Sequence, residues 1–170
     1  MHRIDVNFIR LSDVRLDRIA EGLIGVYILY SGHSRSSPTY IGEGVILDRF
    51  HAHLHNKEMY LTKPISGVMA IIGNKFRKYW KEQSQIVEWA LLNIAFETNR
   101  KPARNMKPGN SSIVIKYILK YNKIKIYCSG IDPFCATGRS KINGYKIINI
   151  DKRGCTIPWN RHSPNRGRRY

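Results

Sequence analysis

The sequence predicts a mixed α+β fold, because short apolar runs of strand character near the front are followed by segments with helical spacing. Residues 25–30 are apolar, aromatic and β-branched, and residues 39–41 form a second such run. The polar loop between them contains Gly32 and Pro38, which predicts a β-hairpin with a longer turn. With 170 residues, of which 42% are hydrophobic, the chain is long enough to bury one core.

The remaining elements are assigned from the spacing of apolar residues and from glycine and proline breaks. In chain order we expect an extended piece at 4–9, a helix from Ser12 to Ala20, the hairpin, a helix at 45–55, a segment of helical spacing at 68–80, a polar break at Gln83–Ser84, a helix at 86–96, a helix or long strand at 112–121, and strands at 124–128 and 145–150. These divide the chain into a lead-in at 1–24, a core at 25–110 and a basic C-terminal region at 111–170 packed on the same domain.

The chain carries a large positive charge, which predicts a polyanionic partner. The formal net charge is +17 and the sequence pI is about 10.1. Residues 106–170 contain fourteen Lys or Arg residues and only two Asp residues, so this third is the expected phosphate-contacting surface. No basic amphipathic helix stands out, and no apolar run approaches the roughly 20 residues that span a bilayer. We therefore expect a nucleic-acid partner and no membrane.

The cysteines do not form the pattern of a disulfide framework. Their number is odd, and the N-terminal residues lack the apolar core of a secretory signal, which predicts reduced thiols and a cytoplasmic protein. Cys128, Cys135, Cys155 and His162 give the spacings Cys-x6-Cys and Cys-x6-His, which leave a zinc site open. Those gaps are wider than the usual two to four residues, so ordinary thiols are the expectation.

Five polar side chains in the front two-thirds suit phosphodiester hydrolysis, which needs an activated water and neutralisation of charge on the phosphate oxygens. Tyr27 and Tyr40 lie on adjacent strands, and a tyrosine acts as a base when cations or a metal lower its pKa. Arg49 and His53 are four residues apart on one helix, where the arginine suits a bidentate hold on phosphate. Glu88 is the only charge in its apolar helix and suits a hard divalent cation, although it would also fit the exposed edge of that helix.

These residues resemble the signature of the GIY-YIG nuclease family, over residues 25 to about 105. The matching positions, in the family's order, are Gly25-Val26-Tyr27, Tyr40-Ile41-Gly42, Arg49, His53, Glu88 and Asn105. The resemblance implies a small central antiparallel sheet that carries the tyrosines, flanking helices that carry Arg49, His53 and Glu88, and a DNA-binding extension at 111–170.

The resemblance also implies hydrolysis with one Mg²⁺ or Mn²⁺ ion, giving 5′-phosphate and 3′-hydroxyl ends. Glu88 would hold the metal, Arg49 would contact the scissile phosphate, and Tyr27 or Tyr40 would help to deprotonate the attacking water. His53 would assist one of these steps.

Some assignments within the signature leave alternatives open. Asn105 would orient neighbouring groups or DNA, with Asn93 or Asn99 as competitors for that position, and Glu97 competes with Glu88. The signature also departs from the family. The interval from Tyr40 to Arg49 is one residue shorter than expected, and Glu43 stands where some relatives carry a lysine.

The expected partner is double-stranded DNA, and cutting both strands with one site per chain favours a homodimer or sequential nicking. The most favoured activity is that of a stand-alone, restriction-type, sequence-specific endonuclease. The alternatives are a weakly specific nuclease toxin or mobile-element endonuclease, and a catalytically silent nucleic-acid-binding module. The side chains expected to contact DNA are Arg35, Lys75, Arg77, Lys78, Arg104, Lys107, Arg139 and Lys141, and Lys81 belongs to the same basic segment as Lys75.

Overall fold

A mixed β-sheet with helices on both faces organises the part of the chain that the structure describes. The computed structural model describes residues 1–13, 18–30, 37–55, 66–102, 104–134 and 140–159, with the side chains at 12, 50, 51 and 53–55 excepted. Within these ranges the strands are β1 (His2–Arg10), β2 (Leu23–Tyr30), β3 (Tyr40–Val45), β4 (Ser66–Asn74), β5 (Ile124–Gly130), β6 (Lys146–Asp151) and β7 (Gly154–Cys155). The helices are α1 (Ile46–His55), α2 (Lys78–Glu97) and α3 (Ser112–Tyr121), and Leu11–Asp13 form a 3-10 turn.

The strand order in the sheet is β3-β2-β4-β1-β5-β6-β7. The expected α+β class is confirmed, but the sheet is neither small nor wholly antiparallel, because β1 and β5 pair in parallel from His2–Ile124 to Phe8–Gly130. At its other end β1 pairs antiparallel with β4, through Ile9 and Arg10. The extended piece of the lead-in is therefore the strand that joins the hairpin half of the sheet to the C-terminal half.

The two faces of the sheet bury separate clusters. On one face α2 and α3 cover a large core that includes Phe8, Ile28 and Ile41. On the other face α1 covers a smaller cluster at β2, in which Tyr27 and Ile46 are fully buried. Strand β2 is thus covered on both sides, as its unbroken apolar sequence predicts.

Two elements differ from the sequence-based expectation. Residues 66–74 form strand β4 rather than helix, since β-branched and small residues there pair along the whole of β2. The polar pair Gln83 and Ser84 does not break a helix, since both residues lie within the continuous 20-residue α2. Their side chains are buried. Their polar atoms contact His2 and Glu43, which come from distant parts of the sequence.

Other expectations hold. The hairpin forms with Tyr27 opposite Gly42, the helix at 45–55 begins at Ile46, and the strands at 124–128 and 145–150 correspond to β5 and β6. The segment at 112–121, left open between helix and strand, is the helix α3, whose N-terminus is capped by Ser111. Of the helix expected from Ser12 to Ala20 the structure describes the 3-10 turn Leu11–Asp13 and residues 18–20, and neither part is α-helical. Residues 14–17 lie outside the described ranges. No helix in the described ranges is both long and apolar enough to cross a bilayer.

Candidate active site at the edge strand β3

Two tyrosines lie side by side on the α1 face of the hairpin. Leu29 pairs with Tyr40 and Tyr27 pairs with Gly42, so the two tyrosines are diagonal neighbours on one face. Their ring centroids are 6.0 Å apart with the ring planes 33° from parallel, and a side-chain hydrogen bond joins them. Tyr27 is fully buried and Tyr40 is half-buried. The two phenols expected from the sequence are therefore brought together at the sheet edge.

Gly42 makes this approach of the tyrosines possible. A methyl group at position 42 would lie 2.7 Å from the Tyr27 hydroxyl oxygen, and it would also collide with the ring of Tyr40. Both rings therefore occupy the space that any side chain at this position would need.

Gly25 and Gly44 serve the packing of α1. A methyl group at Gly25 would collide with the carbonyl oxygen of Ala70 on β4 and would lie 2.9 Å from Cδ1 of Ile46, the first residue of α1. Gly44 has a φ of +136°, a conformation that favours glycine. A methyl group there would lie 3.0 Å from Nε of Arg49. The exposed Arg49 side chain therefore lies against the backbone of β3, as a phosphate-binding cation at this edge would need.

Two carboxylates approach β3 from the α2 side. Glu43 lies on β3 itself, and its Oε2 is 2.8 Å from the hydroxyl oxygen of Ser84 on α2. Glu88 is half-buried on α2. The pKa of Glu88 is raised to about 7, mainly by burial and then by repulsion from Glu43, while attraction to Arg49 partly offsets both. The two glutamates and the arginine therefore form one electrostatically coupled group.

The tyrosines belong to the same group. Burial is the main cause that raises the pKa of both hydroxyls, and the carboxylates Glu88 and Glu43 act in the same direction. Arg49 lowers both pKa values, but by less. Both phenols are therefore protonated at neutral pH, so the lowered pKa that a tyrosine base requires is not provided by this chain's own side chains.

A cavity of about 390 Å³ opens beside the two carboxylates. Glu43 and Glu88 share its wall with polar side chains of α2 and of the segment before α3. Its lining includes Gln85, Asn110, Ser111 and Ser112. The space thus combines two acidic oxygen donors with neutral hydrogen-bonding groups, as a hydrated hard cation requires.

Asn105 is fixed to the backbone of β3. Its Oδ1 accepts a hydrogen bond from the Ile41 amide at 2.8 Å, and its Nδ2 donates to the Ile41 carbonyl at 2.9 Å. Next to it the Arg104 amide donates to the Thr39 carbonyl at 3.0 Å. Because Asn105 uses both amide atoms on the edge strand, it orients β3 and the tyrosine that begins it.

The predicted DNA-contacting side chains fall in three places. Lys75, Arg77 and Lys78 are exposed at the junction of β4 and α2. Arg104 and Lys107 are exposed after α2, where Lys107 pairs with Glu97 at 3.1 Å. Lys141 is exposed, and its backbone pairs with Ile131 in an isolated antiparallel bridge. Glu97, the competitor of Glu88, is thus held in a surface ion pair away from the carboxylate pair.

Several predicted residues lie outside the described part of the chain, namely Arg35, Arg139, Cys135, His162 and the side chain of His53. Cys128 and Cys155 are described, and both are free thiols. Burial raises the pKa of each to about 12, so both are protonated thiols at neutral pH when no metal is bound. Among the described residues, no group of three or more His, Cys, Asp or Glu side chains is placed to hold a metal.

Sequence reasoning missed the role of Glu43 and Ser84. The sequence shows Glu43 only as a departure from the family pattern, and Ser84 only as part of a polar break. A usable signal was present for Glu43, since alternation along a strand places it on the face opposite Gly42, toward the helix that carries Glu88.

Fold and site together define a mixed α+β protein with a tyrosine, arginine and glutamate cluster at a sheet edge. No protein-family model matches the chain, and no curated protein or solved structure matches it either. The resemblance to the GIY-YIG nucleases therefore rests on the motif residues themselves.

Proposed function

We propose that this protein is a metal-dependent DNA endonuclease that hydrolyses phosphodiester bonds to 5′-phosphate and 3′-hydroxyl ends. The observation that carries the proposal is the arrangement of four signature residues around one edge strand. The Tyr27 and Tyr40 rings are 6.0 Å apart, Arg49 lies against Gly44, and Glu88 lines a cavity with Glu43. The net charge of +17 supports a polyanionic substrate.

Arg49 binds the scissile phosphate in this proposal. Its side chain is exposed and lies against the backbone of Gly44 on β3, so a phosphate can approach the guanidinium from solvent. The planar guanidinium offers two parallel donors to phosphate oxygens and retains its charge at any relevant pH. It also neutralises the negative charge that develops during displacement.

Glu88 holds the Mg²⁺ or Mn²⁺ ion, with Glu43 as a second oxygen donor. The donor set fits, because Mg²⁺ is commonly bound by one or two carboxylates with water and phosphate oxygens completing its shell. Repulsion from Glu43 adds to burial in raising the pKa of Glu88, and a cation bound between the two carboxylates would relieve that repulsion. When bound, the ion would polarise the phosphate and lower the pKa of coordinated water.

Tyr27 and Tyr40 act as hydrogen-bond donors. Their raised pKa values keep both hydroxyls protonated at neutral pH. The half-buried Tyr40 positions the attacking water or a phosphate oxygen, and the fully buried Tyr27 acts through its hydrogen bond with Tyr40. Asn105 acts through β3 as a positioning residue, because its two hydrogen bonds fix the Ile41 backbone next to Tyr40. His53, on α1, assists one of these steps.

A sequence-specific, restriction-type enzyme remains the most favoured activity, and plasmid cleavage in Mg²⁺ separates the alternatives. Discrete fragments would support the restriction-type enzyme, whereas smearing or nicking would indicate a weakly specific nuclease. Intact DNA with retained binding would indicate a silent binding module and would contradict the proposal. Arg49→Ala should lower the cleavage rate about a hundredfold, whereas Lys141→Ala, which removes a cation far along the sequence, should change it only a few-fold.

A further inference from the structure

An aromatic ring stands in solvent at the junction of β4 and α2. Phe76 is 80% exposed, yet its backbone is held in an ordered turn. Asn74 Oδ1 accepts a hydrogen bond from the Phe76 amide at 3.0 Å, and the Lys75 amide donates to the Gly22 carbonyl at 2.8 Å. The turn therefore fixes a large apolar side chain in solvent, where a partner that covered the ring would gain the free energy of its burial.

Four cations surround this ring. Lys75, Arg77, Lys78 and Lys81 are exposed, and the Lys75 ammonium lies 5.4 Å from the centroid of the Phe76 ring. No described carboxylate forms an ion pair with any of the four, and the first turn of α2 contains no acidic residue. We call residues 74–81 the basic turn. Its charge is complementary to a polyanion, while its ring suits a flat apolar surface.

The basic turn is connected to the candidate active site by one face of α2. Lys78, Lys81, Gln85 and Glu88 follow one another at intervals of three, four and three residues, which places them in one stripe along the helix. Lys78 and Glu88 are ten residues apart, about 15 Å at the helical rise of about 1.5 Å per residue. At about 3.4 Å per base pair, that length corresponds to about four base pairs of a duplex. A polyanion that contacts both ends of the stripe must extend over at least about 15 Å.

We propose that the basic turn grips double-stranded DNA about four base pairs from the scissile phosphate, with Phe76 inserted against a base step and the cations on the flanking phosphates. This inference rests on the proposed nuclease function, because it uses Glu88 to locate the scissile bond. An apolar side chain that enters a base step unstacks it and bends the duplex. Phe76 is therefore a residue that distorts the substrate, while Lys78 and Lys81 contribute affinity without base recognition.

The test measures binding of a 30-base-pair duplex that carries 2-aminopurine at successive positions. The full chain is used with Glu88→Gln, so that DNA is not consumed. Phe76→Ala should weaken binding five- to fiftyfold and abolish the rise in 2-aminopurine fluorescence, whereas Phe76→Trp should retain both. Met106→Ala is the matched control, because Met106 is also an apolar side chain in solvent, 89% exposed, and it should change neither.

Salt dependence separates the ring from the cations. Phe76→Ala should leave the slope of log affinity against log salt unchanged, since no phosphate contact is lost. Lys78→Ala should reduce that slope by about one. Affinity of Phe76→Ala within twofold of the parent, or an effect no larger than that of Met106→Ala, would overturn the inference.

The failure of this inference is distinguishable from failure of the proposed function. If Phe76→Ala gives the expected losses but the chain with Glu88 intact leaves bound DNA uncut in Mg²⁺, the basic turn stands and the nuclease proposal fails. If the duplex is not bound at all, both fail. Loss of binding to phosphatidylserine vesicles in Phe76→Ala, with DNA binding unchanged, would assign the basic turn to a membrane surface and overturn the inference.

Discussion

Gly42 is the position at which the geometry of the tyrosine pair is decided. The rings of Tyr27 and Tyr40 converge over its backbone, and the first atom of any side chain would meet both of them. A glycine in the middle of a strand weakens the strand itself. A glycine is needed here because the side chains of Tyr27 and Tyr40 pack directly against its backbone.

We predict that Gly42→Ala disrupts the site. The added methyl group must displace the Tyr27 hydroxyl or the Tyr40 ring, which should cost about 1–3 kcal/mol of stability and about a hundredfold in cleavage rate. Denaturant unfolding and a cleavage assay measure the two effects. Gly109→Ala is the matched control, because nothing lies within 4 Å of a methyl group there, and equal effects in both variants would contradict the explanation.

Asn105 gives a second prediction at this scale. Asn105→Ala removes both hydrogen bonds to Ile41 and leaves polar atoms of β3 without these partners. The free energy of unfolding should fall by about 1–3 kcal/mol. Asn143→Ala, at an exposed position, should change it by less than about 0.5 kcal/mol. If Asn105→Ala were as stable as the parent chain, the role in fixing β3 would be wrong.

Helix α2 connects the parts of the molecule at the scale of elements. Its Glu88 faces the edge strand, its buried Ser84 contacts Glu43, and its Gln83 lies 3.2 Å from the ring of His2 on β1. The sequence predicts the hairpin and α1 well, because each is defined by a local pattern. It does not predict the burial of Gln83 and Ser84, because their partners lie 81 and 41 residues away along the chain.

His2 shows how α2 and α3 close over β1. Its ring stacks on Tyr121 at 5.0 Å and meets Tyr117 edge-on at 4.8 Å, while Tyr79 lies at 5.9 Å. Burial lowers the pKa of His2, and repulsion from the α-amino group and from Lys120 lowers it further. Glu82, which belongs to the same cluster through Tyr117, accepts hydrogen bonds from Lys116 and Tyr117. The imidazole is therefore harder to protonate in the folded protein than in the unfolded chain.

We predict that stability falls as the pH drops below about 6.5, the pKa of an unfolded histidine. In that range the histidine binds a proton more readily in the unfolded chain than in the folded protein, so unfolding is favoured. His2→Phe, which keeps an aromatic ring, should lose less stability than the parent between pH 7.5 and pH 5.5. Chemical denaturation at several pH values measures the difference, and identical pH profiles would contradict the lowered pKa of His2 in the folded protein.

At the scale of the whole molecule, sequence and structure agree on the mixed α+β class but not on the extent of the sheet. The mixed class follows from local patterns. The parallel pairing of β1 with β5 does not, because it joins residues more than 120 apart, such as His2 and Ile124. The residues of the candidate site also differ in whether the sequence predicts them. Tyr27, Tyr40, Arg49 and Glu88 follow from motif order, whereas the contact of Glu43 with Ser84 depends on the packing of β3 on α2.

The charge of +17 leads to a prediction about affinity. If the described cations and the basic C-terminal region neutralise about six phosphates, raising the salt from 50 to 200 mM should weaken duplex binding about a thousandfold. Fluorescence anisotropy with a labelled duplex measures this dependence. An affinity that does not change with salt would contradict the polyanionic partner.

The central claim is that Glu88 is the metal-binding carboxylate of a phosphodiester hydrolase. Its most direct test is the single-turnover cleavage rate of an end-labelled duplex in Mg²⁺, compared between Glu88→Gln and Glu97→Gln, two matched changes on the same helix. Glu97 belongs to an exposed ion pair with Lys107. We predict that Glu88→Gln lowers the rate at least about a hundredfold and that Glu97→Gln leaves it within about threefold. Equal rates for the two variants, or no cleavage by the parent protein, would contradict the account.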